Sequence, residues 1–157
     1  MTPLTLDNLG FLLAKASQRW NEILYERFAA AGFHEVRPAY GSLLIPLYEE
    51  DGLRQGELAR RARLSKQTLT TMTRALERDG LVERRIDESD ARATQIFLTK
   101  RARKLRPVAE QVLSEMEALI GDALPARANE TLKKSLSQIA NLGLTSDRRG
   151  LVSSVRG

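Results

Sequence analysis

The feature that most constrains the fold is a pair of short helical patterns joined by a tight turn. The first, "QGELARRA", places Leu58, Ala59 and Ala62 on one helical face. The second begins after Ser65, a favourable N-cap residue, and ends at Gly80, where glycine can adopt the left-handed backbone conformation. Its apolar residues follow helical spacing: Leu69, Met72 and Leu76. Two short helices in this arrangement predict a helix-turn-helix.

Two segments with alternating apolar and polar residues follow this pair of helices at once. The segments "LVERRI" and "ATQIFLT" have the period of two that is typical of strands, and the loop "DESDAR" joins them. We therefore predict an antiparallel hairpin. A hairpin in this place is the wing of a winged helix-turn-helix, which we assign to residues 53–99.

A long amphipathic helix is predicted before this lobe, over residues 6–31, with Thr5 or Asp7 as its cap and Gly32 at its end. Apolar residues recur along it at steps of three and four and form a continuous stripe: Leu6, Leu9, Leu13, Ala16, Trp20 and Ile23. Such a stripe suits either a core within one chain or a seam between two chains.

Three more helices are expected outside the helix-turn-helix. One spans residues 38–52, where Pro46 should kink or locally break it. The others span about residues 100–121 and 125–144, with apolar stripes formed by Leu105, Val108, Val112, Met116, Leu119, Leu132, Leu136 and Ile139. The predicted fold is mainly α, a winged helix-turn-helix with a small β-hairpin wing and long N- and C-terminal helices.

Positive charge is concentrated in the middle of the chain. Residues 54–106 hold 15 Lys and Arg against 7 Asp and Glu, whereas the whole chain carries a net charge of only +5. A concentrated basic segment favours a polyanionic partner, although a solvated charged face would have the same composition.

The outward face of the second helix of the pair has the chemistry of a DNA contact. Its residues are hydrogen-bonding or cationic, with no acid before Glu77: Lys66, Gln67, Thr68, Thr70, Thr71, Thr73 and Arg74. Gln can pair with adenine, Lys with guanine, and a Thr methyl group can touch thymine. The free N–H groups at the start of the helix, with Ser65, can receive a phosphate. Threonine is a poor helix former, so chance or solubility explains four of them less well.

The loop of the hairpin is acidic, and Asp87, Glu88 and Asp90 should repel phosphate. Asp90 offers a solution, because in a tight turn its side chain can hydrogen-bond the backbone two residues on, or hold the guanidinium of Arg92. Asp90 would then orient Arg92 towards the minor groove or the sugar-phosphate edge. A solvated turn with a weak surface ion pair is the alternative.

Few residues could support catalysis or a metal site. The chain has no Cys, which excludes a disulfide scaffold, a Cys-ligated zinc site and thiol redox sensing. The single histidine, His34, has no second His or Cys to act with. We expect no enzymatic activity, no cofactor and no metal. The chain also lacks an apolar run of about 18 residues and a signal-peptide pattern, so we expect a cytoplasmic protein with no membrane partner.

These motifs resemble the MarR family of bacterial winged-helix transcriptional regulators. The resemblance rests on "GELARRARLSKQTLTTMTRALERDGLVERRIDESDARATQIFLT", and its most specific part is Asp87, the Asp90-x-Arg92 pair and Leu98-Thr99. The two arginines of "VERRI" belong to the matching set and join the expected DNA-binding residues, Arg84 and Arg85.

The resemblance implies a homodimer that binds double-stranded DNA at a pseudo-palindromic operator. Residues 1–157 would form a single domain, with 53–99 as the DNA-binding lobe, 1–36 and 100–144 as the helical dimerisation region, and 145–157 as a polar tail. It also implies release of the DNA by a small ligand, often phenolic or an aromatic acid. Family members often carry Gly where this chain has Ala102, which should change only the start of the helix.

Two points remain open from the sequence. A winged helix can also serve as a protein–protein interaction module without an operator of its own, although the basic middle segment argues against that function. The effector is unknown, and the aromatic residues that could line its pocket could equally be core residues: Trp20, Tyr25, Phe28, Tyr40 and Tyr48.

Overall fold

The computed structural model describes residues 1–143, and this part of the chain is mainly helical. Its elements in chain order are α1 (Leu9–Ala30), a 3-10 helix (Pro38–Tyr40), α2 (Gly41–Glu49), β1 (Leu53–Arg54), α3 (Gln55–Ala62), α4 (Lys66–Arg78), β2 (Val82–Ile86), β3 (Thr94–Leu98), α5 (Lys100–Ala123) and α6 (Ala126–Ala140). The predicted winged helix-turn-helix is confirmed, with α3 and α4 as its helices and β2 and β3 as its wing. Contacts within the chain define one compact unit over Met1–Ser114 and a second that begins at Glu115.

An aliphatic core holds the first unit together. Its fully buried side chains come from α2, α3, α4, the residue before β2, β3 and the start of α5: Leu43, Leu47, Leu58, Leu69, Leu76, Leu81, Ile96 and Leu105. Burial of each such side chain contributes about 1.5–3 kcal/mol relative to exposure. The positions on α3 and α4 that the helical spacing assigned to the core are mostly buried, and Ala62 and Met72 are half-buried.

The wing belongs to a three-stranded antiparallel sheet with the strand order β1-β3-β2. Val82 pairs with Leu98 and Ile86 with Thr94, so the hairpin has the predicted strands. The sequence did not predict β1, because two residues are too few to show an alternating pattern. In this strand Leu53 pairs with Ile96 and Arg54 with Gln95, which joins the wing to the start of α3.

The ends of α4 are as predicted. The Ser65 hydroxyl accepts a hydrogen bond from the Thr68 N–H at 3.1 Å. Gly80 has φ of 74° just after the helix, and the Leu81 N–H donates to the Leu76 carbonyl at 2.9 Å. Both contacts satisfy backbone groups that a helix end leaves unpaired, so they fix where α4 starts and stops.

The start of α1 differs from the prediction. Its cap is Asn8, whose side chain accepts a hydrogen bond from the Gly10 N–H at 3.0 Å, and the helix begins at Leu9. Thr5 and Asp7 were the predicted caps, but the Thr5 hydroxyl donates to the Asp7 carboxylate, so they bond each other in the preceding turn. The predicted end is correct, because Gly32 follows the helix with φ of 89°.

Other boundaries also shift. The helix α2 runs through Pro46 without a break and ends at Glu49, whereas Gly52, with φ of 72°, lies in the turn before β1. The helices α5 and α6 replace the predicted ranges 100–121 and 125–144. Leu144 and the predicted polar tail at 145–157 lie outside the described residues.

Candidate nucleic-acid interface

The rotation of α4 is set by the residues that it buries. Leu69, Thr73 and Leu76 lie on the buried face, which turns the other side of the helix outward. The outward residues include most of those that the sequence singled out: Ser65, Lys66, Gln67, Thr68, Thr71 and Arg74 are exposed, and Thr70 is half-buried. Thr73 was predicted to be exposed and is only 1% exposed. Its position four residues after Leu69 and three before Leu76 places it on the buried face, although its side chain is polar.

The hydroxyl groups on α4 are already engaged. Thr70 donates to the Lys66 carbonyl at 2.8 Å, and Thr71 donates to the Gln67 carbonyl at 3.1 Å. Ser65 donates to the Thr68 hydroxyl at 2.9 Å in addition to capping the helix. Because the hydroxyl protons of Thr70 and Thr71 are used within the helix, these two side chains can offer a ligand a methyl group or an accepting oxygen, but not a proton. Such groups can contact a thymine methyl group or accept from the amino group of adenine or cytosine.

The arginines of β2 make contacts within the protein. Arg84 donates to the Glu77 carboxylate at the end of α4, with Nε and Oε2 2.7 Å apart, and this hydrogen bond lowers the pKa of Glu77. The Arg85 guanidinium lies 4.4 Å from the centre of the Phe97 ring and 3.0 Å from the Glu83 carboxylate. Both side chains are still partly exposed, so their cationic groups remain next to the wing surface.

The wing tip has the local hydrogen bond expected of Asp90. Its carboxylate accepts from the Arg92 backbone N–H at 3.0 Å, and the Ala93 N–H donates to the Asp90 carbonyl at 2.9 Å. Within residues 1–143, no carboxylate lies within ion-pair distance of the Arg92 guanidinium. The predicted contact between Asp90 and Arg92 is therefore made through the backbone, and the orienting role of Asp90 stays a prediction.

Sequence reasoning missed a second acidic contact in the wing. Asp87 is buried, and one oxygen of its carboxylate accepts from the Ser89 N–H at 2.8 Å and from the Ser89 hydroxyl at 2.7 Å. The other oxygen lies 2.8 Å from Nε and 2.6 Å from Nη2 of Arg54. The Ser89 hydrogen bonds and the Arg54 guanidinium lower the pKa of Asp87 to about 2. No local pattern could have indicated this pair, because its partners are 33 residues apart.

Some of the predicted DNA-binding residues line two grooves of the first unit, which share Thr94. The others line neither groove: Ser65, Gln67, Thr68, Thr71 and Arg74. A groove of about 450 Å³ between α4 and the wing brings together Lys66, Thr70 and Arg92, with Arg54 and Thr94 also in its wall. A second, more open groove of about 510 Å³ is lined by Glu77, Glu83, Arg84, Arg85, Ile86 and Thr94. In the first groove, the cationic side chains of Arg54, Lys66 and Arg92 lie beside the first turn of α4.

The structure also places the residue that was considered for catalysis and the acidic residues that were considered for a metal site. His34 is exposed in the connection after α1. Among residues 1–143, no three His, Cys, Asp or Glu side chains cluster closely enough to hold a metal ion. In the same part of the chain, no helix is both long enough and apolar enough to cross a membrane.

This chain is similar in sequence and in fold to known transcriptional regulators. The MarR family model matches residues 38–94. The HTH-type transcriptional regulator TtmR of Methylorubrum extorquens (strain PA1) is 38% identical over 73 residues, which are 46% of this chain and 37% of TtmR. The HTH-type transcriptional repressor Rv2887 of Mycobacterium tuberculosis (strain ATCC 25618 / H37Rv) is 33% identical over 95 residues, which are 60% of this chain and 68% of Rv2887.

The fold has a matching solved structure. The transcriptional repressor CouR, bound to a 23-mer DNA duplex, is 26% identical, and the match covers 88% of this chain and 99% of CouR with a TM-score of 0.73. The family and these relatives are regulators and not enzymes, in agreement with the prediction from the sequence. The winged helix-turn-helix, the family match and the relatives together establish that this chain belongs to the MarR family of transcriptional regulators.

Proposed function

We propose that the chain is a dimeric, sequence-specific DNA-binding transcriptional regulator, and a repressor, which acts in the bacterial cytoplasm. The observation that carries this proposal is the outward face of α4, which holds Lys66, Gln67, Thr71 and Arg74 and no acid before Glu77. The similarity to Rv2887, a repressor by name, and to DNA-bound CouR supports it.

In this proposal α4 enters the major groove and the wing lies along the adjacent minor groove. Gln67 and Lys66 read adenine and guanine edges, and the Thr71 methyl group touches thymine. Arg92, which lines the groove between α4 and the wing, enters the minor groove. Arg84 and Arg85 lie beside the sugar-phosphate backbone of the DNA and neutralise phosphate charges.

The test of this function is a gel-shift titration with DNA from upstream of the gene, at several salt concentrations and with excess competitor DNA. We expect a shift that survives the competitor and an affinity that falls steeply with salt. Absence of any sequence-dependent shift would overturn the proposal and favour the protein–protein interaction module. DNase footprinting of the same fragment would give the operator and its symmetry.

The dimer is supported by apolar side chains that the single chain leaves exposed. On α1 and just before it these are Leu6, Leu9, Phe11 and Leu12, and on α6 and just after it they are Leu132, Leu136, Ile139 and Leu142. Both groups belong to terminal helices, and we propose that a second copy of this chain covers them. Two recognition helices related by a twofold axis would then read half-sites about 10 base pairs apart.

Sedimentation of α1 variants tests the dimer. The double substitution Leu9→Lys with Leu12→Lys places two charges on the apolar side of the helix, and we expect it to convert the dimer into monomer. Gln18→Lys adds a charge on the opposite side of the same helix and should leave the dimer intact. A wild-type chain that sediments as a monomer at micromolar concentration would contradict the proposal.

A cavity of about 290 Å³ in the first unit is the proposed effector site. Its wall includes three of the aromatic residues that the sequence offered as candidates, Trp20, Phe28 and Tyr48, together with Arg37 and Ser42. The other two candidates are placed differently: Tyr40 is buried and donates to Asp79 at 2.5 Å, and Tyr25 is 40% exposed. Aromatic walls beside a guanidinium suit a small phenolic or aromatic acid.

Trp20 is the single tryptophan of the chain, so its fluorescence reports on this cavity. With 4-hydroxybenzoate as the probe, we expect saturable quenching and, at the same concentrations, release of the operator in the gel shift. Arg37→Ala should weaken the quenching if the guanidinium pairs with the carboxylate. Quenching without release would leave a binding site but remove its regulatory role.

A further inference from the structure

The wing tip is held by a side chain from outside the hairpin. Arg54 lies in β1, directly before α3, on the far side of β3 from the strand that leads into the tip. Its Nε and Nη2 both donate to one oxygen of Asp87, the first residue after β2. Nη2 also lies 3.4 Å from the Ser89 hydroxyl. The guanidinium thus reaches from one edge strand to the loop beyond the other.

Asp87 is the residue from which the tip is built. Its N–H donates to the Ala93 carbonyl at 3.0 Å, and its carbonyl accepts from the Asp90 N–H at 3.3 Å. Its carboxylate accepts a hydrogen bond from the Ser89 N–H, and the Asp90 carboxylate accepts one from the Arg92 N–H. The path from Arg54 to Arg92 therefore runs through consecutive hydrogen bonds. Apolar packing cannot replace them, because Ile86, the last residue of β2, is 70% exposed.

We propose, on the basis of the DNA-binding function proposed above, that Arg54 is a positioning residue for the wing. By clamping Asp87 to β1, it sets the distance between the wing tip and the start of α4 before DNA binds. Arg54, Lys66 and Arg92 line the same groove, which is the space that this distance defines. A tip fixed in advance places Arg92 at the minor groove without a loss of loop entropy on binding.

A simpler function for Arg54 would be a direct phosphate contact, since its side chain is half exposed. The two functions differ in what they require of Asp87. If Arg54 neutralises a phosphate, removing the negative charge of Asp87 should strengthen DNA binding. If Arg54 positions the tip, removing Asp87 should weaken binding by the same amount as removing Arg54.

A double-mutant cycle on the full chain with its footprinted operator separates them, using Arg54→Gln, Asp87→Asn and the double variant. Each single variant should lose roughly 5- to 100-fold in affinity, the value of about one arginine contact. The affinity of the double variant should lie within about twofold of the affinity of the single variant that binds less tightly, because the pair acts as one unit. Tighter binding by Asp87→Asn, or additive losses in the cycle, would overturn the proposal.

Arg92 and the salt dependence give a second readout that a general loss of stability would not produce. In the background of Arg92→Ala, Arg54→Gln should cost less than about twofold, because no wing contact remains to be positioned. In that background, adding Arg54→Gln should also leave the slope of log affinity against log salt unchanged, whereas loss of a phosphate contact made by Arg54 itself would lower it by about one. If Arg54→Gln reduces DNA affinity in the Arg92→Ala background as much as in wild type, or lowers the salt slope there, the positioning role is contradicted.

Arg103→Gln is the matched control, since Arg103 is also an exposed arginine paired with an aspartate, Asp51, at 2.9 Å. It lies on α5, outside both grooves, and its loss should change affinity by less than about twofold. Thermal unfolding of all variants monitors the fold. If the wild-type chain binds no DNA sequence, the proposed DNA-binding function is wrong. If the wild-type chain binds its operator but the double-mutant cycle does not give the expected coupling, only the positioning role of Arg54 is wrong.

Discussion

The helix α4 and the wing tip face the same groove but are held in place by different kinds of interaction. Leu69 and Leu76 anchor α4 in the aliphatic core, and Ser65 and Gly80 close its ends. The tip after Ile86 has no such anchor, and hydrogen bonds through Asp87 and Asp90 hold it instead.

The difference teaches where each part is sensitive. Burial of apolar area stabilises α4 together with the whole lobe, so damage to its anchor should appear as unfolding. The tip contributes little buried apolar area, so damage to its contacts should leave the fold intact and change only how the wing meets its ligand. Stability and DNA affinity should therefore respond separately in the two regions.

The largest expected effect comes from the core side of α4. Leu76→Ala removes a fully buried side chain and should lower the free energy of unfolding by about 2–5 kcal/mol, through lost burial and the cavity left behind. Ile86→Ala removes a side chain of similar size from the wing and should change the free energy of unfolding by less than about 0.5 kcal/mol. Urea denaturation measures both, and equal losses would remove the contrast between the two regions.

The next effect concerns the outward face of α4. Gln67→Ala should weaken binding to the operator by about 1–3 kcal/mol if its amide reads a base, with little change on unrelated DNA. Fluorescence anisotropy with the operator and a scrambled duplex measures the two affinities. An equal loss on both duplexes would instead make Gln67 a phosphate contact and would move specificity elsewhere on the helix.

The same contrast explains what could be predicted from the sequence. Helical spacing, an N-cap serine and a glycine after the helix are local signals, and they gave the position of α4 correctly. The predicted rotation of α4 was wrong at Thr73, where a polar side chain lies on the buried face, and Thr70 and Met72 are half-buried. The pair of Arg54 and Asp87 was missed because two residues of β1 carry no pattern, and because the partners meet only after the chain has folded.

A smaller effect is expected for two side chains that each accept a hydrogen bond from a nearby backbone N–H. Ser65 accepts a hydrogen bond from the Thr68 N–H on α4, and Asp90 accepts one from the Arg92 N–H in the tip. Ser65→Ala should lower the free energy of unfolding by about 1 kcal/mol, as the loss of an N-cap does. Asp90→Ala should change it by less than about 0.5 kcal/mol and should weaken DNA binding, even though it removes a negative charge. Tighter DNA binding by Asp90→Ala would contradict its orienting role.

The smallest expected effect lies where the two regions touch. Glu77, at the end of α4, accepts from Arg84 of β2, and both side chains are more than a third exposed. Glu77→Gln should therefore lower the free energy of unfolding by less than about 1 kcal/mol. Because the variant also removes the acid that holds Arg84, we expect tighter DNA binding and a steeper salt dependence, measured by anisotropy from low to moderate salt. Weaker binding by Glu77→Gln would mean that the carboxylate orients Arg84 for a phosphate contact, and that positioning by polar side chains extends from the wing tip to the end of α4.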